Sequence, residues 1–261
     1  MSGYSLRGLN WFNALSAGAV AVQGLPPSLR VADSELGRFI AVVADPDNRF
    51  PRARNGEVGL LEGWGLAKAV DDAITADRDK AQKSPIIAIV DVPSQAYGRR
   101  EEALGIHQAL AGAADSYARA RLAGHPVIAL LVGKAMSGAF LAHGYQANRL
   151  IALRDPGVMV HAMGKASAAR VTLRSVEELE VLAASVPPMA YDIDSYASLG
   201  LLWETLSVQQ IEQPTVEDLA RVNECLKQAI GDVVSTDLSN RLGAKNRAAS
   251  SKVRELLRAQ W

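Results

Sequence analysis

The residues with the plainest chemical meaning lie together in residues 126–144, PVIALLVGKAMSGAFLAHG. A β-branched and leucine run breaks at Gly133, passes small residues and resumes as a helix near Ser137. A strand-turn-helix step leaves the first backbone N–H groups of the helix unpaired and pointing one way. With the helix dipole, they favour negative charge. Gly138 and Ala139 carry almost no side chain, so a substrate oxygen can approach the backbone. The chemistry expected is stabilisation of an oxyanion. The alternative is an anchoring turn in an α/β core.

Two further strand ends carry candidates. Residues 91–105, DVPSQAYGRREEALG, form a loop after a buried run. Tyr97 is a possible proton donor there, beside Gly98. Arg99 and Arg100 offer guanidinium forks that suit a carboxylate or a phosphate. Asp91 and Glu102 read most simply as hydrogen-bond partners of loop and helix backbone. His161, at a third strand end, titrates near neutrality and is the best acid candidate. Its alternative is a satisfied structural histidine.

The elements that must position these residues alternate. Residues 38–44 and 85–92 read as strands; the second is continuously apolar, as a strand buried on both faces should be. Residues 57–80 and 100–122 have helical spacing, 126–132 are the next buried strand and 137–147 a helix. Short strands follow at 149–153 and 158–162, separated by Asp155-Pro156-Gly157. The order implies a parallel sheet or a stack of βαβ turns. Ligands in such sheets sit beyond the carboxyl ends of the strands. After Ser175 the pattern is mainly helical, at 176–185, 194–206, 216–230 and 248–260. Residues 1–230 are expected to form one domain and 231–261 a C-terminal helical extension.

Composition excludes several classes. Twenty-eight basic and 28 acidic residues leave no basic excess for nucleic acid or an anionic membrane. No apolar run reaches membrane-spanning length and no convincing leader is present, so a cytoplasmic protein is expected. Cys225 is the single cysteine, which rules out an intrachain disulfide and a thiolate cluster. His107, His125, His143 and His161 show no metal-type doublet, so no metal is expected. Near-zero net charge favours a subunit over a free monomer.

Asp91-Val-Pro-Ser-Gln-Ala-Tyr-Gly98 with Glu102 and Gly105, and its spacing to Gly133 and Ser137-Gly138-Ala139, resembles the carboxyltransferase alpha subunit of acetyl-CoA carboxylase. Here Ala135, Met136 and Ala139 replace glycines of that family's turn, and Ser94 replaces one in its loop, which argues against biotin carboxyl transfer. A closer resemblance runs through RGLNWFNALSAG, ARNGEVGLLEGWGLAKAV and YDIDSYASLGLLWETL. These segments are similar to the gamma subunit of biotin-independent malonate decarboxylase, over about residues 5 to 210.

That resemblance implies an α/β crotonase-like (ClpP/crotonase) fold of stacked ββα turns with a helical C-terminal region. It implies a beta subunit sharing the active site, an acyl carrier protein and an acyl carrier protein transferase subunit. The substrate would be a malonyl thioester on the carrier's coenzyme-A-like prosthetic group, decarboxylated to an acetyl thioester with no biotin and no metal. Gly138 and Ala139 would then donate either to the thioester oxyanion or to the departing carboxylate, with Ser137 as cap or hydroxyl donor and His161 as the acid. Tyr97, Gly98, Arg99, Arg100 and Gly133 would contact substrate. The turn also resembles the Clp peptidase, in which Ser137 would be the nucleophile, His161 its base, and Asp192 or Asp194 the orienting carboxylate. A non-catalytic scaffold is the third reading.

Overall fold

A computed structural model describes residues 3–234 and 238–261. Residues 235–237 of the expected C-terminal extension therefore lie outside the described residues. The chain opens with helix α1 (Arg7–Leu15) and strands β1 (Val20–Ala21), β2 (Leu29–Asp33) and β3 (Arg38–Val42). Helix α2 (Leu60–Ala76), strand β4 (Ile86–Val92) and helices α3 (Arg99–Ala103) and α4 (Ile106–Leu122) follow. Next come β5 (Val127–Met136), α5 (Ser137–Ala142), β6 (Arg149–Leu153) and β7 (Met159–His161). The remainder is α6 (Lys165–Thr172), α7 (Val176–Ser185), α8 (Ile193–Ser198), β8 (Glu204–Leu206), α9 (Val216–Gly231) and α10 (Ala248–Gln260).

Among the described residues the strands form one sheet in the order β1-β2-β3-β4-β5-β6-β8, with β7 paired to β5 off that path. Pairing is antiparallel from β1 to β3 and parallel thereafter. Every residue of β4 is buried, so both faces of the sheet are covered. Helices α2 and α4 pack on each other, with α2 against β2 and β3 and α4 against β5; α1 and α9 form a second pair against the central strands. This is the alternating α/β order that the sequence implies.

Several boundaries differ from the expectations, each for a local reason. The helix expected over 100–122 is two helices, because Gly105 takes a left-handed φ of 82° between α3 and α4. The helix expected over 194–206 ends at Ser198. Gly200, at φ 71°, turns the chain into β8, which pairs with β6. Helix α5 stops at Ala142 rather than 147; Gly144 follows at φ 109°. Helix α1, strands β1 and β2, and helix α6 were not expected from periodicity, being short or lying among glycines, prolines and exposed residues.

The correction that matters most concerns β5. The strand does not break at Gly133 but runs to Met136. Its register against β4 slips between the pairs Val90–Leu131 and Val92–Ala135, so the strand bulges across residues 132–134. Before the bulge, β5 pairs with β6 through Ile128 to Leu131; after it, Lys134 to Met136 pair with β7. The bulge bends the strand from one neighbour to the other and delivers its last residue beside His161. The long apolar strand and the short turn are one continuous device.

Arg241 ties the C-terminal region to the body. It is 5% exposed, and its guanidinium donates to the carbonyls of Tyr145, at 2.8 Å, and Ala147.

Candidate active site

The bulge is built around Asp91. Its carboxylate accepts from the backbone N–H of Lys134 at 3.0 Å and of Gly8 at 3.2 Å, while the side chain is 6% exposed. A Cβ on Gly133 would sit 2.0 Å from Asp91 Oδ1. Gly133 is therefore a glycine because the carboxylate fills the space of its side chain. It lines neither of the clefts at the end of β5.

Four residues on, Ser137 adopts a left-handed φ of 57°, uncommon for a residue with a side chain. Gly138 follows, and its N–H donates to Gln95 Oε1 at 2.7 Å. The donor expected to face a substrate oxyanion is thus already paired within the chain. Ala139 is fully buried beneath the turn and lines neither adjoining cleft. Gln95 was not singled out in the sequence. Its one signal was that it is a polar side chain in the loop after a buried strand, a position where ligands are held.

His161 stands opposite Met136 in the β5–β7 register, next to Ser137. Its ring stacks on Tyr191 with centroids 3.9 Å apart and planes 13° from parallel. Nδ1 lies 2.9 Å from the Met163 carbonyl, which also accepts from the Tyr191 hydroxyl at 2.9 Å. Nδ1 also lies 3.2 Å from the Met163 backbone N–H, which can only donate, so the two Met163 contacts favour opposite tautomers and Nε2 is the ring nitrogen left for a ligand. Burial pushes the imidazole pKa below its ordinary value, partly offset by the Met163 carbonyl, so the ring is neutral at neutral pH.

Two clefts meet at this point. One, of about 440 Å³, is lined by Ser137, Gly138, Phe140, His161 and Tyr196 among others. The second, of about 610 Å³, is lined by Gln95, Tyr97, Ser137, Ala162 and Ser167, with Arg52 and Glu57 as its charged members. Ser137 and Ala162 belong to both. Tyr97 is 59% exposed on the second cleft, as a ligand-contacting residue can be.

The rest of that loop points elsewhere. Gly98 is buried, and a Cβ there would lie 2.5 Å from both Arg52 Nε and Glu101 Oε2. Arg99 is exposed at the start of α3, and Arg100 lies over the Phe50 ring at 5.2 Å. Neither arginine lines the two clefts.

The peptidase arrangement is not assembled. Asp192 accepts from the Ser195 N–H at 2.8 Å as the cap of α8, and Asp194 pairs with Arg154 at 3.1 Å. Among the described contacts His161 has neither a carboxylate partner nor a bond to Ser137.

The other reactive types are occupied in the fold. His143, fully buried, bonds the Tyr117 hydroxyl at 3.0 Å and the Ile89 carbonyl at 2.9 Å. Burial raises the Cys225 thiol to about 11, so it stays protonated. Among the described residues, no group of three or more His, Cys, Asp or Glu is placed to hold a metal, and no helix is long and apolar enough to cross a membrane.

A bent, mostly parallel sheet with small-residue turns at its strand ends, opening on a two-sided cleft, is a crotonase-like α/β fold. The fold likeness extends to a transcarboxylase 12S chain, at 20% identity and a TM-score of 0.62 over 87% of this chain and 42% of that one. A family model for the malonate decarboxylase gamma subunit matches residues 53–261, and the chain belongs to that family. It is 72% identical to a chain of a Pseudomonas malonate decarboxylase hetero-tetramer in complex with coenzyme A, with a TM-score of 0.94 over 98% of this chain and 99% of that one. Against a chain of a Pseudomonas MdcD-MdcE hetero-dimer of malonate decarboxylase, identity is 68% and TM-score 0.90 over the same shares, 98% and 99%. Identity to the malonyl-S-ACP:biotin-protein carboxyltransferase MADD of Malonomonas rubra is 35% over 190 residues, 72% of this chain. That match spans only 62% of the relative's length.

Proposed function

We propose that this chain is the gamma subunit of a malonate decarboxylase that, with a beta subunit, removes carbon dioxide from a malonyl thioester without biotin. The observation that carries the reading is the family match over residues 53–261, which includes β5, Ser137, Gly138 and His161. A hetero-oligomer suits the open, two-sided cleft, and the Pseudomonas relatives crystallised as a hetero-dimer and a hetero-tetramer. The acyl group would be carried on the coenzyme-A-like arm of an acyl carrier protein loaded by a transferase subunit; the coenzyme A in one Pseudomonas complex supports an arm of this chemistry. The residues toward such an arm are Tyr97 and Arg52 on the larger cleft.

In the reaction the bond between the α-carbon and the carboxylate breaks and carbon dioxide leaves. The electron pair passes to the α-carbon and the thioester oxygen, and the resulting enolate then takes a proton. Fixed N–H donors in a water-poor site stabilise the developing charge, each typically worth a factor of about 10² to 10³ in rate. His161 beside Ser137 is the group of this chain best placed to relay that proton, Nε2 first taking one from solvent and then giving it to the enolate, with the ring held by Tyr191 and Met163. Gly138 keeps the floor of the cleft low, since a side chain there would meet Gln95 Oε1 at 2.9 Å.

The Malonomonas relative is named for transfer to a biotin protein, so the test separates the two reactions. The chain is assembled with its beta-type partner and given malonyl-thioester carrier protein, with carbon dioxide measured. Release that needs the partner, survives avidin and is lost in an assembled Gly138→Val complex is expected. Release that stops on adding avidin would replace this reading with biotin carboxyl transfer. Fluorophosphonate labelling of Ser137 without decarboxylation would replace it with the peptidase.

A further inference from the structure

We infer that the side-chain amide of Gln95, and not the backbone amide of Gly138, is the donor this chain presents to the carboxylate of its acyl substrate. The Gly138 N–H donates to Gln95 Oε1 at 2.7 Å. Only the oxygen of a glutamine amide accepts from an N–H, so this bond decides which way the amide is turned. The NH₂ group occupies the other branch of the same planar group. It has no hydrogen-bond partner among the described residues, and Gln95 lines the larger cleft together with Ser137.

The backbone that carries the side chain is held as well. Val58 and Gln95 form an isolated parallel bridge, in which the Ala96 N–H donates to the Val58 carbonyl at 2.8 Å and the Val58 N–H to the Ser94 carbonyl at 3.1 Å. The Gln95 carbonyl accepts from the Ser94 hydroxyl at 3.1 Å and from the Tyr97 N–H at 2.9 Å. With the backbone and the amide oxygen both fixed, the two N–H bonds are aimed before any ligand arrives. That is what a positioning donor requires.

A neutral amide also suits the reaction, and this step rests on the decarboxylase reading. The carboxylate loses its charge on leaving as carbon dioxide, so a full cation against it would stabilise the ground state more than the transition state. An amide can orient the group while leaving it poorly solvated. Of the charged side chains on the same cleft, Glu57 is engaged elsewhere, and Arg52 is largely exposed and left to the carrier's arm. Arg52 lies 3.9 Å from Glu101, and Glu57 accepts from the Asn55 backbone N–H at 2.8 Å.

Two substitutions separate this role from its alternatives. In Gln95→Glu the side chain still accepts from Gly138 but loses both donors and gains a negative charge. In Gln95→Met both functions go at similar volume. The complex with the beta-type partner is assayed for KM and kcat on malonyl carrier protein, for the dissociation constant of free malonate, and for its melting temperature.

Gln95→Glu should melt as the wild type does while KM and the malonate dissociation constant rise about ten- to hundredfold, the range of a lost bond to a charged group. Gln95→Met should lose at least as much affinity. A Gln95→Glu complex within twofold of wild type on both constants would overturn it, making Gln95 only a cap for Gly138. A gain of activity in Gln95→Met would also overturn it, making Gln95 a plug over a backbone donor. Malonate affinity is read without turnover, so a wild-type complex that binds malonate but releases no carbon dioxide refutes the decarboxylase reading and still tests Gln95. A wild-type complex that does not bind malonate overturns the inference itself.

Discussion

Two contacts between the β4 end and the β5 end are built alike and do different work. Asp91 accepts from the backbone of Lys134, and Gln95 from the backbone of Gly138; each pair is 43 residues apart. In the first, the space is closed. The carboxylate also takes the Gly8 N–H, fills the place of a Gly133 side chain and is 6% exposed. In the second, one half of the amide is bonded and the other has no partner among the described residues, on a side chain that lines a cleft. The first contact holds the bulge in place, and the second leaves a polar group unspent at the point where that bulge ends. A long-range polar contact marks a candidate site only when part of its hydrogen-bonding capacity is left over.

The largest expected effect comes from breaking the closed contact. Asp91→Ala strands the N–H groups of Gly8 and Lys134 inside the protein, and should cost about 3 kcal/mol in denaturant unfolding. Loss of less than about 1 kcal/mol would show that water replaces the carboxylate, and would remove the distinction drawn between the two contacts.

His143 extends the comparison along α5, since its ring is satisfied at both nitrogens. The Ile89 carbonyl requires the proton on Nε2, so Nδ1 accepts from Tyr117. Burial pushes its pKa down to about 4, below the ordinary imidazole value near 6.5. Between those values the unfolded chain binds the proton and the folded chain does not, so the histidine's contribution is intact above about pH 6.5 and is lost as pH falls toward 4. The full loss is on the order of 3 kcal/mol. Stability measured against pH should show that slope, and His143→Gln should flatten it; an unchanged slope would assign the acid sensitivity to other groups.

The smallest effect concerns Ser137, which links bulge and cleft through a left-handed φ of 57°. Ser137→Gly removes the steric cost of that conformation but loosens the unfolded chain, so a net gain of no more than about 1 kcal/mol is expected. A loss of 1 kcal/mol or more in thermal unfolding would mean that the hydroxyl, and not the backbone, is what the fold uses at this position.

How much of this was legible in the sequence follows from what kind of information each feature needs. The runs at β4, β6, α7, α9 and α10 were readable because apolar periodicity and turn residues are local quantities. The small residues at Ser137, Gly138 and Ala139 pointed to a strand end that borders both clefts, and His161 to its neighbour across β5 and β7. Gly133 was misread as a break, because a glycine ending a strand and one accommodating a bulge have the same local pattern. Arg99 and Arg100 were legible as chemistry but not as direction, since only the packing of Phe50 turns Arg100 away from the cleft.

The sequence by itself determined the alternating α/β order, the family, and the strand ends that border the clefts. Tertiary structure alone decided which polar groups are spent and which are free. The parallel register of β4 and β5, slipped by the bulge, brings residue 95 to residue 138, and no local pattern encodes a register set by side chains that far apart. That register consumes the Gly138 N–H and turns the Gln95 amide toward the cleft.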